Sequence, residues 1–258
     1  MKHHAYGNAY HFMMQVRIQV KKPKALVDDL RRRQTSNGST MSKPNRNPYN
    51  PNQKLHHSSF FNGYEVYTKR GPLIYQYLSG IEFCIDSALQ DYSSVFVLRI
   101  DLKLPSDISV PQERLIERFI ASLRSKVRSA SKRSMDQGKR VHPTNIRYVW
   151  CKEFSSTDQP HYHVALLMNK QSYWKVGSYD ISGRSLYNMI VGAWMSALGL
   201  KDMERYKYLV NFSENGQYHM RRDSPLSVEE VFYRLSYLCK LDTKKFDSPG
   251  HSFGCSRQ

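Results

Sequence analysis

Two apolar runs, residues 145–154 and 161–168, are separated only by the polar stretch 155–160. That spacing suits an antiparallel hairpin with a modest loop, which fixes two neighbouring strands of one sheet. A third strand is legible in residues 93–104, SSVFVLRIDLKL. There Val95, Val97, Arg99, Asp101 and Lys103 alternate with Phe96, Leu98, Ile100, Leu102 and Leu104, and Pro105 ends the run. Between them, residues 111 to about 133 place Leu115, Ile116, Phe119, Ile120, Leu123 and Val127 at helical spacing. The opposite face of that helix carries Arg114, Arg118, Arg124, Lys126 and Arg128 with little acid, which favours a phosphate-facing surface. Residues 185–198 read as a second helix. Residues 206–212 and 217–220 read as short strands around a Glu214-Asn215-Gly216 turn. A third helix over 227–240 is opened by a capping box, Ser227 with Glu230 three residues on. Upstream, residues 64–89 suit a helix interrupted at Gly71-Pro72 and Gly80. The order β-α-β-β-α-β-α predicts an α+β fold, one antiparallel sheet with helices packed on it in a split βαβ layout.

Charge separates this core from what precedes it. The 258 residues carry a net charge of +17. The first 55 hold eleven Lys and Arg against Asp28 and Asp29, so a fifth of the chain supplies about half the surplus. Residues 34–53, QTSNGSTMSKPNRNPYNPNQ, have almost nothing apolar to offset the entropy of ordering. Residues 1–55 are therefore expected to be a basic, largely disordered tail and linker, with a folded domain over 56–258 and its core at about 93–245. The surplus of positive charge points to a polyanionic partner. No apolar run approaches the ~18 residues of a membrane span. The opening MKHHAYGNAYHFMMQV has no continuous apolar stretch of the kind a signal peptide needs. Cys84, Cys151, Cys239 and Cys255 are far apart, which suggests reduced thiols in a cytoplasmic protein. Membrane spanning, secretion and a disulfide scaffold are the classes these features exclude.

Two local patterns carry chemistry. In HYHVALL, His161 and His163 stand two apart on a strand and so present two imidazoles to one face. That pair suits a divalent metal, and a third ligand would complete an open site. Glu153, near the end of the partner strand, and Asp101, on the first strand, compete for that place. The second pattern is Tyr237-Leu238-Cys239-Lys240, with Tyr233 one turn earlier on the same helical face. A tyrosine oxygen beside a lysine and a metal-bound phosphate is a workable arrangement for covalent phosphoryl transfer. Lys244 would extend the stripe if the helix continued.

A strand-borne HxH followed by YxxK on a helix, in a basic chain, resembles the HUH endonucleases, which cut one DNA strand and keep its 5′ end on a tyrosine. A closer resemblance covers about residues 93–258. LRIDLKLP, WCKEF, HYHVALLMNK, VGAWMSALGL, YRLSYLCKLDTK and HSFGCSRQ are similar, in this order, to the YagK/YfjJ C-terminal domain family, encoded by prophages and filamentous-phage-like elements and regarded as replication-associated. The resemblance implies a rolling-circle replication initiator that nicks single-stranded or melted origin DNA. Tyr237 would be its nucleophile and Lys240 would order charge at the phosphate. Tyr233 is a candidate second nucleophile, and His161, His163 and Glu153 would hold Mg²⁺ or Mn²⁺. Lys244, Lys245 and Arg99 are expected to contact DNA. No helicase motif such as GxxxxGK[ST] is present, so unwinding would fall to a host helicase or to supercoiling, and synthesis to a host polymerase. The rival readings are a non-catalytic nucleic-acid-binding regulator on the same sheet and an HUH transposase.

Overall fold

Residues 45–111, 113–155, 159–246 and 251–256 are described by the structure, a computed structural model. The chain enters the fold earlier than its composition suggests. Arg46–Asn47 (β1) and Asn50–His56 (β2) pair antiparallel. Phe60–Phe61 (β3) and Tyr64–Glu65 (β4) form a tight hairpin whose Asn62-Gly63 turn takes positive φ at both residues, as a two-residue hairpin turn requires. Leu73–Ile74 (β5) then pairs with β2. Residues 45–55 are thus ordered, which corrects the linker reading for this part of the chain. The Asn and Pro residues that look like linker make turns here. Asn47 is buried, its amide donates to Gln53 Oε1 (2.7 Å), and its Oδ1 accepts from the Tyr49 N–H (3.0 Å). The expected tail over residues 1–44 lies outside the described residues.

The helix expected over 64–89 is confined to Tyr75–Asp91 (α1). Gly80 does not interrupt it. A Cβ there would lie 3.1 Å from the Phe253 ring and 3.3 Å from Cys255 Sγ, so the glycine lets the helix approach the last strand. Ser94–Lys103 (β6), Leu115–Asp136 (α2), Arg147–Phe154 (β7), Pro160–Asn169 (β8) and Leu186–Leu198 (α3) follow. Next come the short helix Met203–Tyr206 (α4), Val210–Arg221 (β9), Pro225–Ser236 (α5) and Phe253–Cys255 (β10). The five long-range strands make one antiparallel sheet in the order β10-β7-β8-β6-β9.

Helices cover both faces of this sheet. Phe96, Leu98, Ile100 and Leu102 of β6 and Tyr162, Val164, Leu166 and Met168 of β8 pack with α2 and α3, where Phe119 and Trp194 are fully buried. Val95, Val97, Val149, Ala165 and Leu167 pack with α1 and α5. Each large apolar side chain so buried contributes on the order of 2–3 kcal/mol. Having both faces buried explains why β8 is a nearly continuous apolar run after its histidines.

Two local expectations change. Residues 206–209, expected as strand, form the end of α4 and a 3-10 turn, and residues 210–212 and 217–220 belong to one strand, β9, not a hairpin. Leu98 faces Gln217 and Ile100 faces Phe212, so residues 213–216 bulge out opposite Arg99. Gly216 is needed there, because a Cβ would lie 2.8 Å from the Arg99 carbonyl oxygen. The last helix begins at Ser224-Pro225 rather than at a Ser227 capping box. Pro at the first helical position fits because it has no N–H to satisfy. Ser227 Oγ instead donates to the Ser224 carbonyl and accepts from the Arg221 N–H.

Candidate active site

On the face covered by α1 and α5, three adjacent strands change from apolar to polar at the same end. Strand β6 passes from Val95 and Val97 to Arg99, Asp101 and Lys103. Read against its direction, β8 passes from Leu167 and Ala165 to His163 and His161. Strand β7 passes from Val149 and Cys151 to Glu153. Register aligns Cys151, His163 and Asp101 in one row and Glu153, His161 and Lys103 in the next. Helix α5 covers the apolar part and stops at Ser236. A 3-10 turn, Tyr237–Cys239, then carries Tyr237 over the polar part.

The histidines meet as their spacing requires, with ring centroids 4.8 Å apart and nearly perpendicular. His163 Nδ1 lies 2.5 Å from Asp101 Oδ1, while Nε2 lies 3.5 Å from Glu153 Oε2. The two competing carboxylates therefore occupy opposite sides of one ring. Ligand atoms of Glu153, His161 and His163 all fall within 4.8 Å of one another. This donor set, two imidazole nitrogens and a carboxylate oxygen, can hold a divalent cation. Asp101 is placed as an outer partner that orients the imidazole, a common arrangement behind metal-ligating histidines.

Electrostatics follow from burial and neighbours. Burial alone would raise the Glu153 carboxyl, but the bond with His163 and the charges of Lys244 and Lys240 hold it far below the usual range. Burial would lower His163, yet its bonds to Asp101 and Glu153 leave it raised. His161 is lowered, by burial first and by its neighbour His163 second, and so stays neutral near pH 7.

Glu153 is gripped on every side. Lys240 Nζ and Thr243 Oγ1 each lie 2.8 Å from Oε2, and Lys244 Nζ lies 3.3 Å from Oε1. Lys240, 1% exposed, also has its ammonium 3.7 Å from the Tyr237 ring centroid. Lys244 corrects an expectation: it is neither on a continued helix nor an exposed phosphate contact, but a buried partner of Glu153. Lys245 is half-buried beside the Phe154 ring. Thr243 has φ +66, an uncommon conformation for a β-branched residue that persists only where its surroundings hold it. Its carbonyl accepts from the Phe154 N–H at 3.3 Å, next to Glu153 in β7.

Tyr237 lies beside this cluster, its ring 6.5 Å from that of His163 and beneath the Arg99 guanidinium at 5.4 Å. Arg99 also reaches Asp101 at 3.9 Å. Tyr233 connects to the site through Tyr67, whose ring lies 5.2 Å from Tyr237 and 6.2 Å from Tyr233. Sequence reasoning missed Tyr67. The Tyr67 N–H is hooked to Ser236 Oγ (2.8 Å), 169 residues away, and no local pattern announces that contact. Thr243 was missed as well, although it lies in the same LDTK stretch as Lys244.

Residues 56–256 match the model of the YagK/YfjJ C-terminal domain. Among curated proteins, the uncharacterized protein YagK of Escherichia coli K12 is 32% identical over 199 residues, covering 72% of this chain and 95% of YagK. The uncharacterized protein YfjJ of the same organism is 32% identical over 196 residues, covering 70% of this chain and 93% of YfjJ. No solved structure matches. The histidine strand, the Tyr-x-x-Lys turn and the last strand all lie within the matched span, and the chain belongs to the YagK/YfjJ C-terminal domain family.

Proposed function

We propose that this chain is an HUH-type, cation-dependent single-strand DNA nickase that initiates rolling-circle replication of a phage or prophage-like element in a bacterial cytoplasm. One observation carries the reading: Tyr237 and the Glu153-His161-His163 set, 74 or more positions apart in the chain, come together at one end of the sheet. Antiparallel strands with helices in the order of a split βαβ core support the same assignment. Glu153, His161 and His163 would hold Mg²⁺ or Mn²⁺, which supplies Lewis-acid polarisation of the scissile phosphoryl oxygens.

In this reading the Tyr237 oxygen attacks the scissile phosphorus and the P–O3′ bond breaks. The phenol proton passes to solvent and the departing 3′ oxygen gains a proton. The products are a 5′-phosphotyrosine and a free 3′-OH primer for a host polymerase, with a host helicase opening the duplex. Lys240, over the ring face, favours the developing phenolate. Asp101 keeps His163 oriented with Nε2 toward the site. Tyr233, whose ring contacts Tyr67, would serve a second strand transfer once the first tyrosine is occupied.

A non-catalytic nucleic-acid-binding role draws on a different observation, the two lysines and one threonine already bound to Glu153. Incubation with labelled single-stranded origin DNA, with Mn²⁺ or with EDTA, separates the two. The nickase gives an SDS-resistant adduct only with Mn²⁺. Tight native binding without an adduct on any origin fragment would favour the regulator.

A further inference from the structure

The end of the sheet opposite the histidines has its own chemistry. Strand β8 runs from His161 at the site to Asn169 at the opposite end of the sheet, eight residues or about 26 Å away at ~3.3 Å per residue. There the loop after α2 is pinned to the strand. Asn169 donates to the Pro143 carbonyl from its amide and to Thr144 Oγ1 from its backbone, each at 2.9 Å, and Ser172 Oγ donates to the His142 carbonyl. The C-terminal half of α2 and this loop therefore overhang the far end.

That overhang carries Arg128, Lys132, Arg133, Lys139 and Arg140, all exposed, with Asp136 as the one acid between residues 128 and 140. None of the five has an ion-pair partner among the described residues. Three neighbouring arginines are occupied. Arg124 donates to the Ile146 carbonyl, Arg221 pairs with Asp223, and Arg222 donates to the Leu89 and Gln90 carbonyls. The free cations are interleaved with Ser125, Ser129, Ser131 and Ser134, small polar residues that let a phosphate backbone approach. Cations near a helix C-terminus gain something from the helix dipole. Lys139 and Arg140, however, lie beyond the helix, where that effect fades.

We propose that this surface is a second nucleic-acid site, for the backbone of duplex DNA. Single-strand sites combine positive charge with aromatic platforms for unstacked bases. Tyr67, Tyr233 and Tyr237 provide such rings at the histidine end, whereas residues 128–140 contain no Phe, Tyr or Trp. Charge and small polar residues without rings suit phosphates whose bases stay paired. The separation corresponds to about 8 base pairs at 3.4 Å each, so the duplex flanking an opened segment would be held here. The choice of DNA as partner rests on the proposed function; the surface itself does not.

The test uses the full chain and two labelled probes, a 24-base-pair duplex of arbitrary sequence and a 24-nucleotide oligo(dT), titrated over a range of salt concentrations. In one variant Arg128, Lys132 and Arg133 are changed to Gln. In a control, three exposed cations elsewhere, Lys175, Arg184 and Lys201, are changed to Gln. The first variant should lose about 0.9 of log–log salt slope per phosphate contact, about 2.7 in all, on the duplex. Its oligo(dT) binding and its Tyr237 adduct yield should not change, nor should the control's duplex slope. An unchanged duplex slope in the first variant, or equal losses in both variants, would overturn the proposal. A selective loss of duplex slope in a protein that never forms an adduct would keep this surface and remove the nickase.

Discussion

Replacing Glu153 by Gln removes a counter-charge from two lysines that have no other place to go. The side chains of Glu153, Lys240 and Lys244 are 3%, 1% and 0% exposed, so solvent screens little of their interaction. Breaking a buried ion pair on one side costs about 3–5 kcal/mol, because the remaining charge stays buried and uncompensated. For a unit of this size each kcal/mol moves Tm by about 2–4 °C, so Glu153→Gln should melt about 6–20 °C below wild type in EDTA. Circular dichroism at pH 7.5 reads this directly. Further replacement of Lys240 and Lys244 by Met should restore most of the loss, since no charge is then left buried without a partner. A Tm for Glu153→Gln within about 2 °C of wild type would refute the reasoning, because those lysines would then not depend on this carboxylate.

Three more expectations follow from named contacts. Asp101→Asn should weaken Mn²⁺ binding about 10–100-fold by calorimetry while leaving the His161–His163 pair in place, since it removes the outer partner that fixes the ring. In EDTA, His163 contributes stability that is full below its unfolded pKa near 6.5 and is lost as pH rises through its higher folded value. Tm should therefore fall as pH rises above about 6.5, and His163→Asn should flatten that trend; a wild-type profile that stays flat above this pH would contradict it. Gly80→Ala should press the Phe253 ring and Cys255 Sγ aside by a few tenths of an ångström, and that overpacking should cancel the ~1 kcal/mol that Ala gains over Gly inside a helix, so urea unfolding should show no stabilisation.

The sequence was most legible where periodicity and burial agree. The alternation in residues 93–104 and the apolar run after His163 gave β6 and β8, because strands covered on both faces must be apolar there. Spacing of two put His161 and His163 side by side without any knowledge of register. Register, however, decides which carboxylate faces which nitrogen, and it is a property of paired strands. Asp101 lies opposite His163 and Glu153 opposite His161, so the contest between them could not be settled from either strand alone. Composition misled at residues 45–55, where Asn side chains close turns instead of loosening a linker. Two available signals went unread: Asn62-Gly63 as a hairpin turn and Ser224-Pro225 as a helix start. Tyr67, Thr243 and the three-residue strand β10 left no readable pattern, being fixed by contacts with distant segments.

The central claim is that Tyr237 is the atom donor to DNA. Protease digestion of the SDS-resistant product, followed by peptide mass spectrometry, tests it without reference to rates. The account predicts a 5′-phospho-oligonucleotide mass on the tyrosine of the LSYLCK segment at position 237, absent when Tyr237 is changed to Phe. An adduct on another residue, or one that persists in Tyr237→Phe, would contradict it.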